Sequence, residues 1–319
     1  MSLLSTLFLS LLPALPQDPA PETDEPTPPS EEVQEEEELT PERAVELLEA
    51  ADKSGELDLI FIAIEDAGRV ADKKVVKELS GFLKHKDAEV RYLTVQTLRY
   101  NQDEEALKVL LKQKSNKKIL EDERCAEEYY YALGQKGDKR AIKILSDDLN
   151  KTNRGDKVTR ARILALGRIR EVESVEALMD CLVSGAARRR HPQMTEIHTS
   201  LVVLTGASVR PNQDDWIAWW NDNKRGLELT KQEQELDTKK GRSAWMELWA
   251  TPEDKELMEL ARKQGKDGFG DATPEELEEL RKKAEERKKR AEEKRKEEAE
   301  KKESGDGGGK DDPDGDGTR

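Results

Sequence analysis

Three histidines, two cysteines and an aspartate-rich tail are the residues of this 319-residue chain whose types could support metal or nucleophilic chemistry. A metal held on one helix face needs two imidazoles four residues apart. His191 and His198 are separated by seven, with Pro192 between them, and His85 is followed by Lys86, so all three read as surface or partly packed side chains. Cys125 and Cys181 fall on different helical segments; they are either two buried free thiols or, in an exported chain, a disulfide. Asp312, Asp314, Asp316 and Gly317 reproduce the opening of a calcium loop, but no bidentate glutamate follows at the required distance. Phosphate loops, nucleophile elbows and paired-carboxylate motifs do not occur. The expectation is a non-enzyme with no catalytic residue, no metal and no cofactor.

Charge supplies the one local hint of a binding surface. Although the net charge is -15, the stretch from Lys151 to Arg170 gathers Arg154, Lys157, Arg160, Arg162, Arg168 and Arg170, and a following loop adds Arg188, Arg189 and Arg190. These nine residues are the candidate partner-binding set. Nucleic acid is one reading, but overall acidity and export argue against it. An acidic peptide, an acidic glycan or the chain's own acidic tether would serve as well, and the plain structural alternative is a solvated helix face. The tripeptide Arg154-Gly155-Asp156 reads as a turn between helices.

What must position these residues is a repeated phrase. Asp66 to Leu79 aligns without a gap on Ala132 to Leu145, so that Gly68, Asp72, Lys73, Lys77 and Leu79 fall on Gly134, Asp138, Lys139, Lys143 and Leu145. A third copy runs from Ala165 to Leu178, and a weaker one from Thr97 to Leu110. A period of about 31 to 35 residues marks stacked helix pairs. Gly134 and Gly167 read as helix stops, since glycine enters the left-handed region without a side-chain clash. The acidic residues that follow, Asp72, Asp103, Asp138 and Glu171, read as starts. Apolar stripes at helical spacing, such as Ala141, Ile142, Leu145 and Leu149, give each helix one buried face.

The segment Asp87, Ala88, Glu89, Val90, Arg91 with Thr94, Val95 and Leu98 resembles the HEAT repeat and its Asp-x-x-Val-Arg-x-x-Ala pattern. The Ala-Leu-Gly phrases look like the short HEAT variant of phycobilisome-lyase-type repeats, over roughly Leu57 to Gly206. The resemblance implies an all-α, armadillo-type α-solenoid of about four to five helix pairs. It does not carry over the family's aspartate–arginine ladder, because the full motif occurs once. The ending Leu204, Thr205, Gly206 followed by Trp216, Trp219 and Trp220 resembles that of secreted bacterial HEAT-repeat proteins. Indoles at three- and four-residue spacing read as a hydrophobic cap, with an aromatic binding platform as the alternative. The His-Glu pairs of di-iron HEAT-type hydroxylases are absent.

The rest of the chain is too polar to bury, with 34% hydrophobic and 39% charged residues. Residues 1–20 read as a signal peptide built on the apolar run Met1 to Leu12, although no Lys or Arg precedes it. Residues 21–39 form a disordered acidic linker, and Thr40-Pro41-Glu42 opens the solenoid, which runs over 40–226 with an N-terminal cap helix. Residues 227–271 form a helical extension in which Trp245 and Trp249 pack back on the array or on a partner. A charged, solvated helix spans 272–303, where a coiled coil would need an apolar seam, and 304–319 form a disordered tail. The expected function is a monomeric, exported scaffold (periplasmic, envelope-associated or secreted) with no transmembrane helix in the mature chain. Its inner groove binds another protein or an acidic peptide. A nucleic-acid-binding array is the alternative, a lyase-like enzyme the second, and the cytoplasm is the compartment if the apolar run is not a signal.

Overall fold

The computed structural model describes residues 39–149, 156–184, 191–263 and residue 282, and among the described residues the fold is all-α, without strands. Its helices are α1 (Pro41–Ser54), α2 (Leu57–Gly68), α3 (Lys73–Phe82), α4 (Ala88–Tyr100), α5 (Glu104–Lys112), α6 (Lys117–Leu120), α7 (Glu123–Lys136), α8 (Ile142–Ser146), α9 (Asp156–Arg168), α10 (Val172–Ser184), α11 (Met194–Thr205), α12 (Gln213–Asn223), α13 (Lys239–Trp249) and α14 (Pro252–Lys263). The expected signal peptide, acidic linker, Asp-rich tail and most of the charged segment lie outside the described residues. No described helix is long and apolar enough to cross a membrane.

Helix starts follow directly from local chemistry. Thr40 accepts a hydrogen bond from the Arg43 amide at 3.3 Å, ahead of Pro41. Asp72 accepts from Lys74 at 2.7 Å, Asp87 from Glu89 at 2.8 Å, Asp103 from Glu105 at 2.7 Å and Asp138 from Arg140 at 2.8 Å. Each such cap stabilises its helix by roughly 1 kcal/mol. Asp87 is thus engaged with its own helix. Arg91 donates to the carbonyls of His85 and Lys86 at 2.9 and 3.0 Å, inside the same turn.

The helix ends correct one expectation. Gly134 and Gly167 do not stop their helices: both lie within α7 and α9, and the stop after α7 is Gly137, at φ 63° in the left-handed region. Their role is close approach. A Cβ on Gly134 would stand 2.7 Å from the Cα of Ala165, and one on Gly167 would stand 2.6 Å from the Cβ of Ser200. Gly68 meets Thr97 in the same way, at 2.3 Å from its Cγ2. The repeated glycine therefore marks where the backbone of one helix leaves room for close approach of another helix, α4 at Gly68, α9 at Gly134 and α11 at Gly167.

Those contacts order the packing. Helices α2, α4, α7, α9 and α11 lie each against the next, forming an inner row. In the outer layer α1 packs on α3 and α3 on α5, while α8 packs on α10 and α10 on α12. The core between the layers is continuous, from Ala44 and Leu48 through Leu79, Leu98, Leu133 and Leu166 to Leu204. Trp216 of α12 is fully buried there, donates its indole N–H to His198 Nδ1 at 3.1 Å, and meets Trp219 edge-on. It is core.

Both cysteines are free and buried, Cys125 in α7 and Cys181 in α10, and burial raises their thiols to about 11 and about 12. A thiol is nucleophilic only as its thiolate. A soluble aromatic disulfide reagent is expected to leave both unmodified in the native chain and to titrate both after guanidinium is added. Rapid native reaction would contradict their burial.

Candidate functional site

The expected docking groove is made from the second helices of successive pairs, and the row from α2 to α11 carries an uncommon set of buried side chains. Arg99 of α4 is buried and donates to Glu128 of α7 at 3.1 Å. Its guanidinium also lies 5.0 Å from the ring of Tyr100, 5.5 Å from Tyr131 and 5.5 Å from Trp249. Such stacking contributes of order 1 kcal/mol per contact once water is excluded. Burial pushes the Glu128 carboxyl above the ordinary carboxylate range, and Arg99 opposes the shift. Burial likewise brings Lys136 down to about 8; its ammonium donates to the Asn101 carbonyl at the end of α4.

What covers this face is the chain itself. Residues 227–263 return along the inner row in reverse order, from α11 towards α4. The Gln234 amide donates to Val203 of α11 at 3.0 Å, and Arg170 donates to the Thr230 carbonyl at 2.7 Å. Glu233 is held by Arg168 and accepts from the Trp245 indole at 3.1 Å. Trp249 then sits over Gly134 and meets Tyr131 edge-on at 5.9 Å. Gln135 donates to the Trp249 carbonyl at 3.2 Å, Arg99 to the Leu248 carbonyl at 2.5 Å, and Lys255 to the Tyr100 hydroxyl at 3.4 Å. Of the two expected positions for Trp245 and Trp249, the array is the one they occupy.

The same geometry takes apart most of the described members of the basic set. Arg162 is 2% exposed and donates to the carbonyls of Leu145, at 2.8 Å, and Asp147, so it closes the end of α8 rather than offering a surface. Arg168 and Arg170 hold the returning segment, Arg170 also donating to Val203 and Leu204 at 2.9 Å each. Arg160 lies 3.3 Å from Glu196 of α11, and Lys157 is exposed at the start of α9. Arg154, Arg188, Arg189 and Arg190 lie outside the described residues. The structure therefore brings Arg168 and Arg170 together on one segment, and places Arg162 elsewhere.

Sequence reasoning missed Arg99 and Glu128 because each charge is ordinary until its partner, 29 residues away, is in place. The available signal was the aromatic surround of Tyr100, Tyr131 and Trp249. A concavity of about 370 Å³ opens beside the short helix α8, with Lys114, Lys143 and Asp147 among its lining residues. The histidines are engaged with the fold: His85 accepts from the Asp87 amide at 3.1 Å and His191 lies 3.7 Å from Cys181. The Asp-rich calcium-like stretch lies outside the described residues. Compared with known proteins, the chain matches no protein family, and no curated protein sequence matches it.

Proposed function

We propose that this chain is a non-enzymatic protein-interaction scaffold, an α-solenoid of four to five HEAT-like helix pairs that acts outside the cytoplasm as a monomer. The repeat reading is supported by the close approaches at Gly68, Gly134 and Gly167, where a Cβ would meet Thr97, Ala165 and Ser200 of the next helix in the row. Stacked pairs of this kind offer a long surface over which affinity is distributed. The observation that carries the binding reading is the way the inner row holds residues 227–263. Arg99, Gln135 and Arg170 donate to main-chain carbonyls, the mode by which a polypeptide of varied sequence can be held.

Nucleic acid is the weaker reading, because Arg162, Arg168 and Arg170 already serve partners within the chain. The deciding experiment is cross-linking of the tagged full-length chain in its native cells, followed by reconstitution with the recovered protein. A stoichiometric complex by light scattering is the expected result. Failure to reconstitute, together with steeply salt-dependent binding to DNA or RNA below about 1 µM, would overturn the reading. Mass spectrometry of the mature N-terminus tests export: loss of about the first 20 residues is expected.

A further inference from the structure

Two positions of α7 are buried against α4, the helix before it in the row. Counting back from the glycine of the repeated phrase, which is Gly68 in α2, Gly134 in α7 and Gly167 in α9 and aligns with Arg99 in α4, these are the sixth and ninth residues. In α7 they are Glu128, which meets Arg99 of α4, and Cys125, whose sulfur lies 3.6 Å from the Ala88 carbonyl of α4. In α9 the equivalent positions are Ala161 and Val158, both buried, and in α4 they are Leu93, partly buried, and Val90, buried. In α2 the two positions hold Ile62 and Leu59, and among the described residues no helix of the row precedes α2. They are 56% and 46% exposed, and Leu57 is 39% exposed. Leu59 and Ile62 thus lie side by side on one flank of α2, while Leu57, in the first turn, lies on another side of the helix.

We infer that this flank of α2 is a docking site for an amphipathic helix of another protein, with an apolar stripe bordered by Lys and Arg. The helix takes the place that α4 has beside α7. The border follows from charge: Glu56, Asp58 and Glu65 are exposed around the patch, and no Lys or Arg occurs between Ser54 and Gly68. The tenth position back shows such a charge met at one junction of the row. There Arg124 of α7 reaches Glu89, its counterpart in α4, at 2.5 Å; in α2 the position is Asp58, where a cation on the incoming helix would be met in the same way. Two other occupants conflict with the same charges. A second copy brings the same carboxylates face to face, and the chain just before α1 brings Glu31, Glu32 and Glu35 to Glu38. This inference extends the scaffold reading to a particular site and rests on it.

The probe is a fluorescein-labelled 18-residue helical peptide with a Leu/Ile stripe flanked by Lys and Arg, alongside a peptide with the same stripe flanked by Glu. Both are titrated against the full chain by anisotropy at physiological salt. The basic peptide is expected to saturate below about 100 µM and the acidic one to bind at least about tenfold more weakly. Hydrogen exchange should show protection confined to residues 56–66. The double variant Leu59→Asp/Ile62→Asp is expected to weaken the basic peptide at least about tenfold although it adds negative charge, which separates apolar contact from bulk attraction. Because both side chains are exposed, its thermal midpoint should match that of the parent.

Equal binding of the two peptides, protection elsewhere, or undiminished affinity in the double variant would overturn the inference. So would self-association of the full chain by analytical ultracentrifugation that the double variant abolishes. A native partner cross-linked only to other helices would refute this site and leave the scaffold reading standing, whereas absence of any reconstituted partner would refute the scaffold reading itself.

Discussion

Replacing Gly134 by valine is expected to lower the stability of the folded chain by about 3 kcal/mol, the upper part of the range for inserting methyl groups into a packed interior. The new Cβ would stand 2.7 Å from the Ala165 Cα, 2.8 Å from its Cβ and 2.8 Å from Cη2 of Trp249. Two of these atoms belong to the facing helix at or next to its main chain, so no rotamer change relieves the clash and α7 must move away from α9. Helix propensity acts in the opposite direction, since glycine in a helix interior costs about 1 kcal/mol relative to alanine. Gly81 isolates that smaller effect: nothing lies within 4 Å of a Cβ built there, so Gly81→Ala should be neutral or stabilising by up to about 1 kcal/mol. Urea unfolding followed by circular dichroism gives both values. If Gly134→Val were as stable as the parent, consecutive inner helices would not approach as closely as described, and the repeat interpretation would lose its main support.

The second large effect concerns Arg99. Arg99→Met removes the cation opposite Glu128 and the donor to the Leu248 carbonyl, leaving a buried carboxylate unpaired, and is expected to destabilise by about 3 to 5 kcal/mol. Adding Glu128→Leu should recover much of that loss, because a buried ion pair replaced on both sides by apolar groups is often close to neutral. The pH dependence of the single variant is diagnostic. Burial already raises the Glu128 carboxyl and Arg99 is the largest influence lowering it, so the variant's carboxyl rises further. With the folded pKa above the unfolded one, the folded state holds the extra proton; the chain is most stable below the unfolded pKa and loses stability as pH rises through the folded value. Urea midpoints of Arg99→Met should therefore fall from pH 5 to pH 8 relative to the double variant. A flat difference would mean that Glu128 is solvated in the variant. Hydrogen exchange across residues 245–263 should accelerate in both variants, since the link to Leu248 is gone in each.

Residues 227–263 change what the inner row offers. A partner approaching α4, α7 or α9 meets Trp249, Gln135 and Arg99 already in contact with the chain's own carbonyls. Among the described residues the row begins at α2, and that is where Leu59 and Ile62 face solvent.

The amino-acid sequence by itself determined the helical class, the helix starts and the position of the apolar spine. Thr40, Asp72, Asp87, Asp103 and Asp138 cap helices through hydrogen bonds to residues two or three positions on, and interactions that short are set by neighbours in the chain. The repeating glycine was equally visible, but its meaning was not. Glycine permits both a left-handed turn and a close approach of two helices, and only the position of Ala165 against Gly134 selects the second. The basic segment shows the same limit. Charge can be counted along a chain, whereas its availability depends on partners such as Glu233 and Thr230, 65 and 60 residues beyond Arg168 and Arg170. Tertiary structure alone decided that the inner face is covered by the returning chain and that α2 is left open, because both depend on which helix lies next to which.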